Sequence, residues 1–496
     1  MRRTKILATL GPSSDTEEVI AALVEAGADA FRLNFSHGTH EQHAKTIATV
    51  RKVAMAVRRY LPVVADIQGP KIRIGEMSAP VTLVAGHEFT LTTEPVLGNA
   101  DVVSTPFEPL PKEVKVGDRI LINDGLVETV VTSVGETSVR CRVVYGGVIG
   151  SKKGMNFPDT DLHIPAITDK DREDLRFAVG CKVDYVAASF IRRREDMVEI
   201  RELLEDLGGR EIDLIAKIEK AQAVEALESI LEVSDGVMVA RGDLGVELSP
   251  ESVPIAQKRI LDWASQRGRL AITATQMLES MTVHSRPTRA EASDVANAIF
   301  DGSDAVMLSG ETASGAYPLE AVRMMSRIIR AAEEHPELAV QQGRDPFHQS
   351  YETDEFTDSL AGAARYAAEE IDARYIVVFT QSGFTARLMS KFRPRAPVIA
   401  LTQSTWVARR LNLLWGVTPF VLKDVGDFHE QIVERVSSFL VEQGLVEPSD
   451  RVVILMGSPL FERARTNLLR VHRIGEPKAG GPRREGAGSN PGGNVV

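Results

Sequence analysis

Short apolar runs alternate with amphipathic stretches along most of the chain. The runs at 5–10, 30–34, 62–67, 185–190, 213–219, 236–244, 270–276 and 305–309 are rich in Val, Ile and Ala. They do not alternate with polar residues, which marks strands buried on both faces. Between them, 17–26, 194–207, 221–231 and 255–267 space their apolar residues as helices do. Repeated strand–helix units imply right-handed crossovers and a parallel sheet. Eight such units predict an α/β fold closed into a (β/α)8 TIM barrel rather than an open doubly wound sheet.

One interval breaks this rhythm. From 69 to 159 the runs 81–84, 89–92, 119–122, 127–134 and 138–144 are short and β-like, separated by turn signals such as Val116-Gly117-Asp118 and Asn123-Asp124-Gly125. This predicts an all-β domain inserted in a barrel loop at the face where barrel enzymes do their chemistry, placed to act as a lid. After the barrel, 333–354 reads as a polar linker. A third α/β unit follows, with a helix at 359–370 and strands at 375–380, 398–401 and 451–456. The domain expectation is therefore a barrel of 1–68 and 160–345, a β lid of 69–159 and a C-terminal α/β domain of 346–475. The Gly- and Pro-rich segment 476–496 is expected to be a disordered tail.

Composition narrows the function classes. In 496 residues, 58 Lys and Arg against 69 Asp and Glu leave 58 − 69 = −11. That balance argues against general nucleic-acid binding, which depends on neutralising phosphates. It leaves room for a small anionic substrate held by a local basic cluster. Two cysteines, Cys141 and Cys181, exclude a disulfide framework and a four-cysteine zinc site. The start reaches Gly11-Pro12 before a signal-peptide core can form, and no apolar run approaches the roughly 20 residues that cross a bilayer. The expectation is a cytoplasmic protein with neither membrane nor nucleic-acid partners.

In a barrel enzyme the informative polar residues lie at the C-terminal ends of strands. Here they are Arg32 and Asn34, Asp66, Lys217 and Glu219, Asp243, Thr275, and Ser309 with Glu311. Glu219 and Asp243, from neighbouring strands, form a hard oxygen pair suited to Mg2+. Lys217, two residues before Glu219, shares its face of the strand. Arg32, with Arg73 at the edge of the insertion, adds guanidinium donors that match phosphate or carboxylate. Gly242, in Arg241-Gly242-Asp243, lets backbone amides approach a carboxylate. By contrast, His37, His40 and His43 read as a solvated first turn, Arg58-Arg59 and Arg192-Arg193-Arg194 as exposed helix faces, and Met277, Met281, Met324 and Met325 as core filler. Neither a P-loop nor a His-Arg-Asp catalytic loop is present.

Ordered segments across residues 1–475 resemble the pyruvate kinase family. They include Arg32-Leu33-Asn34-Phe35-Ser36-His37-Gly38, Ile215-Ala216-Lys217-Ile218-Glu219-Lys220 and Arg241-Gly242-Asp243-Leu244-Gly245-Val246-Glu247. Ala274-Thr275-Gln276-Met277-Leu278-Glu279-Ser280-Met281 and Ser309-Gly310-Glu311-Thr312-Ala313 extend the similarity. The resemblance implies phosphoryl transfer from phosphoenolpyruvate to ADP, giving pyruvate and ATP. It implies Mg2+ (or Mn2+) on Glu219 and Asp243, with a second ion arriving with the nucleotide. Lys217, Arg32 and Arg73 would act on the phosphoryl group, and Gly242, Asp243 and Thr275 would receive the carboxylate, with Thr275 near a proton relay. Asn34, His37, Arg73, Lys153 and Asn156 are the nucleotide contacts it implies.

One departure bears on a cofactor. Many members need K+, bound by residues matching Asn34, Ser36 and Asp66, and carry glutamate where Lys71 stands in Asp66-Ile67-Gln68-Gly69-Pro70-Lys71-Ile72-Arg73. The Lys71 ammonium is expected to substitute for that cation, so that K+ is not required. The resemblance also makes the third domain an allosteric effector domain. There Thr380, Ser382, Gly383 and Thr385 form a hydroxyl-rich strand-to-helix turn suited to a phosphorylated effector, and a homotetramer is implied. A Mg2+-dependent barrel aldolase or lyase would share the electrostatics but explains neither extra domain. A phosphosugar-binding regulator with a vestigial barrel would not need Lys217, Glu219, Asp243 and Thr275 together.

Overall fold

The computed structural model describes residues 2–335, 355–423, 429–457 and 466–475. The expected linker largely falls outside these residues, and the expected tail wholly does. At the centre, parallel strands close into a barrel: Lys5–Leu10, Ala30–Asn34, Val63–Ile67, Tyr185–Ala188, Asp213–Ile218, Gly236–Ala240, Leu270–Ala274 and Ala305–Leu308. The first strand pairs with both the second and the eighth, with Lys5 opposite Ala305. Successive residues serve two cores. Leu7, Val64, Ile215, Met238 and Ile272 fill the barrel interior. Ile6, Ala65, Leu214, Ala216 and Val237 pack outward under the helices.

Two local expectations need correction. The sixth strand was expected to run to Leu244, but it ends at Ala240 and the chain turns into a helix, Arg241–Glu247. Leu244 and Glu247, three apart, are the buried face of that helix, a period that the apolar run Leu244-Gly245-Val246 masks. Arg192 is not on an exposed helix face. It is buried, with Nη1 donating to the Leu162 carbonyl at 2.9 Å and Nη2 to the Ile164 carbonyl at 2.8 Å. It thereby clamps the returning lid segment to the barrel. The Arg58-Arg59 pair lies just past the helix His40–Ala56, where Arg59 pairs with Asp29 at 2.8 Å.

The chain leaves the barrel for the lid at Gly69. Its φ is +67°, and a Cβ there would lie 2.8 Å from the Ser189 carbonyl oxygen, so glycine is required on both counts. The lid sheet runs Met155–Asn156, Arg119–Ile122, Val127–Val134, Ser138–Tyr145, Glu88–Thr92 and Val102–Ser104 in spatial order. Phe89, Leu91, Ile120, Val131, Cys141 and Phe157 are among its core. A short helix, Leu110–Glu113, interrupts the expected all-β grammar.

The C-terminal domain is a sheet of Val417–Val421, Val398–Thr402, Tyr375–Phe379 and Arg451–Gly457 in parallel, with Thr466–Arg473 antiparallel at one edge. It docks under the N-terminal ends of the barrel strands. There Asp29, Asp184, Asp235 and Asp304 each stand one residue before an even-numbered barrel strand. Each accepts an amide of the preceding strand: Ile6 at 2.9 Å, and Val63, Leu214 and Ala271 at 2.8 Å. The docking domain supplies Arg409 to Asp184 at 2.6 Å, Arg387 to Asp213 at 3.0 Å and Arg393 to Asp304 at 3.0 Å.

Candidate active site

At the opposite end of the barrel, strand termini bring together the residues that the sequence singled out. Arg32 lies in the second strand, two residues before its end at Asn34. It is buried, donating from Nε to Asp66 Oδ2 at 2.6 Å and from Nη1 to Thr9 Oγ1 at 3.2 Å. Lys217, near the end of the fifth strand, reaches Ser189 Oγ at 2.7 Å, Glu219 Oε1 at 2.8 Å and Asp66 Oδ1 at 3.2 Å. Glu219 Oε2 accepts the Phe190 amide at 2.7 Å, and Phe190 adopts φ +57° to present it. Ser189 was absent from the sequence-level candidates. It directly follows the fourth strand and links Lys217 to Asp66, donating to the Ile67 carbonyl at 2.7 Å.

Burial and charge act in opposition here. Burial alone would raise the Asp66 carboxyl, but Arg32 and Lys217 hold it below the usual carboxylate range. Burial would lower the Lys217 ammonium, yet Asp66 and Glu219 hold it above the ordinary lysine value. Lys217 is thus a fixed cation in a low-dielectric cleft. Glu219 is pushed up by burial and by the negative charge of Asp243, against the pull of Lys217. The Glu219 and Asp243 carboxylates supply hard oxygen donors, a set that fits a divalent cation. Among the described residues no group of three or more His, Cys, Asp or Glu is assembled for a metal, so water or substrate oxygens would complete the shell.

Thr275 follows the seventh strand with φ +66°, and Gln276 continues at φ +53°. Such backbone in a β-branched residue persists only where the surroundings enforce it, and it clusters at functional sites. Thr275 Oγ1 accepts the Gly242 amide at 2.8 Å and donates to the Ala274 carbonyl at 2.6 Å. The hydroxyl therefore sits at the start of the helix that carries Asp243. The N-cap residue, Ala240, offers no side-chain cap, so Thr275 serves the first turn from the neighbouring strand. Glu311 is fully buried, accepting the Leu278 and Ser309 amides at 3.0 and 2.7 Å, and it ties the seventh strand's loop to the eighth.

Other candidates are placed differently. Asn34 Oδ1 accepts the Ser36 amide at 3.1 Å beside Asp66. His37 is exposed, and its carbonyl accepts from His43 at 2.8 Å. His40 is not merely a solvated turn residue: it stacks on Phe177 and pairs with Asp174 at 2.7 Å. Lys71 does not enter the Asn34, Ser36 and Asp66 pocket. Its nearest ionic partner is Asp124 on the lid, at 3.8 Å, while Arg32 and Lys217 occupy Asp66. Arg73 donates to the Lys152 carbonyl at 3.1 Å, and Lys153 is exposed on the same lid edge. Asn156 is buried with Nδ2 donating to Glu247 at 2.7 Å, an engagement that nucleotide contact had not anticipated.

In the C-terminal domain, Thr380 Oγ1 accepts the Gly383 amide at 2.9 Å, and Ser382 Oγ accepts that of Phe384 at 3.4 Å. Gly383, at φ +94°, is the N-cap of the helix Phe384–Lys391 and has no side chain to cap it. The Thr385 hydroxyl is turned inward, 2.6 Å from that of Thr466, so it is not displayed at the turn.

Known proteins resemble the chain over nearly its whole length. The family model described as pyruvate kinase, barrel domain, matches residues 1–322, and that described as pyruvate kinase, alpha/beta domain, matches 358–472. A pyruvate kinase of Clostridium acetobutylicum is 44% identical over 482 residues, 96% of this chain and 100% of that protein. One from Geobacillus stearothermophilus is 43% identical over 486 residues, 97% of this chain and 82% of its own. The crystal structure of a pyruvate kinase from Cryptosporidium parvum superposes with a TM-score of 0.87 at 37% identity, covering 95% of this chain and 96% of that one. The chain, with its closed barrel, inserted β domain and C-terminal α/β domain, belongs to the pyruvate kinase family of phosphotransferases.

Proposed function

We propose that the chain transfers the phosphoryl group of phosphoenolpyruvate to ADP, giving pyruvate and ATP in glycolysis. The observation that carries this is Lys217, held as a buried cation by Asp66 and Glu219 with Arg32 alongside. Phosphoryl transfer needs positioning and charge neutralisation more than covalent chemistry. Arg32 and Lys217 hold the phosphoryl group, and Arg73 meets it from the lid. The Gly242 and Asp243 backbone, with Thr275, seats the carboxylate, and the Thr275 hydroxyl lies on the proton path to the enolate. Glu219 and Asp243 would hold Mg2+ (or Mn2+), which supplies further neutralisation of the transferring charge. Asn34, His37, Arg73 and Lys153 take the nucleotide.

Finer features belong to the same reading. Lysine at position 71 supports activity without K+. The hydroxyl-rich turn at Thr380, Ser382 and Gly383 supports an allosteric site for a phosphorylated metabolite at the start of the following helix. Membership of the family supports a cytoplasmic homotetramer. In the described residues no helix is long and apolar enough to cross a membrane. Pyruvate formation followed with coupled lactate dehydrogenase tests the central claim: it should require both phosphoenolpyruvate and ADP. Absence of ADP-dependent pyruvate would overturn it.

A further inference from the structure

We propose that Glu247 is a positioning residue that latches the lid to the phosphoryl-transfer centre through Asn156. This inference rests on the reading of that centre given above. Glu247 ends the helix whose first turn carries Gly242 and Asp243. Its side chain has no solvent exposure. Oε1 accepts Asn156 Nδ2 from the lid at 2.7 Å and also accepts the Lys220 ammonium. Lys220 directly follows Glu219 in the chain, and its Nζ lies 5.7 Å from the centre of the Phe190 ring. The Phe190 amide in turn holds Glu219. One carboxylate therefore joins the lid strand, the helix carrying Asp243 and the segment carrying Glu219.

The energetics favour a functional reason for this group. Glu247 Oε2 is buried without a hydrogen-bond partner. A desolvated carboxylate with one oxygen unmatched is a poor means of stabilising a fold, and an apolar contact would serve better. What the carboxylate supplies is direction: a hydrogen bond has a preferred length and angle, which an apolar contact lacks. A second contact lies alongside. The lid turn at Gly125 lies against Val246, where a Cβ would come within 3.3 Å of its side chain. Lid position and the spacing of the two carboxylates at the centre are thus set by one helix end. A misplaced lid should weaken nucleotide capture first, because Arg73 and Lys153 travel with it.

A charge-swap pair tests this. Asn156→Asp sets two carboxylates against each other. It should raise KM for ADP and lower kcat/KM by about tenfold or more, the scale of a lost charge-assisted hydrogen bond. KM for phosphoenolpyruvate should change by less. Hydrogen exchange at 155–157 should rise in the same variant. Asn156→Asp with Glu247→Gln lets the glutamine amide donate to the new carboxylate, and should bring both readouts back toward wild type. Asn156→Ala, which adds no charge, covers failure of the aspartate variant to fold and should shift ADP KM in the same direction. Wild-type ADP kinetics and exchange in both single variants would overturn the latch. So would a folded double variant showing no recovery. Failure of the wild-type protein to form pyruvate would instead sink the functional reading, while lid exchange would still report on the latch.

Discussion

Lys391 of the C-terminal domain donates to Asp304 at the foot of the eighth barrel strand, and neither side chain has any solvent exposure. The same carboxylate receives Arg393 at 3.0 Å and the Ala271 amide at 2.8 Å. The pair therefore joins two domains and two barrel strands at one carboxylate. Removing one member of a buried pair leaves an uncompensated charge. Lys391→Met should destabilise the protein by about 3 kcal/mol, at the lower end of that range because Arg393 remains. Calorimetry should show the first unfolding transition at a clearly lower Tm; an unchanged Tm would mean that the pair does not secure the docking.

A pH dependence follows from the neighbouring aspartate. Burial would raise the Asp29 carboxyl, but Arg2, Lys5 and Arg59 and the Ile6 amide bring it below its usual value. A carboxyl depressed in the folded state contributes stability that is complete above its unfolded value, about 3.9. That contribution fades as pH falls through the lower folded value. Wild type should therefore exceed Asp29→Asn in Tm at pH 6, and the gap should narrow as the buffer is taken toward pH 3. A gap independent of pH would place the effect in packing rather than charge.

The barrel was legible because strands buried on both faces leave short unbroken apolar runs, and polar residues toward their C-terminal ends mark the site. Arg32, Asp66, Lys217 and Glu219 converge as that rule requires. What escaped detection depends on partners distant in sequence. Arg192 reads as a surface charge until the Leu162 and Ile164 carbonyls arrive from the lid's return. Asn156 gives no local sign of its bond to Glu247, 91 residues away. The strands Val417–Val421 and Thr466–Arg473 were missed because edges are weakly patterned: the first carries Pro419, and the second has little buried surface. Lys71 was read from residue type alone, which fixes charge but not direction.

Lys217 offers the sharpest test of the chemistry. Lys217→Met keeps the length of the side chain and removes the cation that Asp66, Glu219 and Ser189 orient. Loss of one preorganised electrostatic group at a transition state lowers kcat by about 10²–10³-fold. The coupled assay should show that loss in kcat rather than in KM for ADP, since the ammonium lies among barrel residues and not on the lid. Retention of more than about a tenth of the wild-type kcat would remove Lys217 from the proposed role.

The monovalent cation gives a test of different character, because geometry and residue type pull apart. The pocket of Asn34, Ser36 and Asp66 already has two cations on Asp66, with Arg32 at 2.6 Å and Lys217 at 3.2 Å. Lys71 stands outside it, 3.8 Å from Asp124 on the lid. Its charge nonetheless sits on the segment that leads from Asp66 into the lid, where an ammonium adds to the positive field of the cleft without occupying the pocket. Rates in Tris buffer should therefore change by less than about twofold when 100 mM KCl is added, a concentration that only screens. Lys71→Glu reverses the charge on that segment and should create activation by K+ that Na+ does not reproduce. Strong K+ activation of the unaltered protein would show that charge at position 71 does not replace the ion.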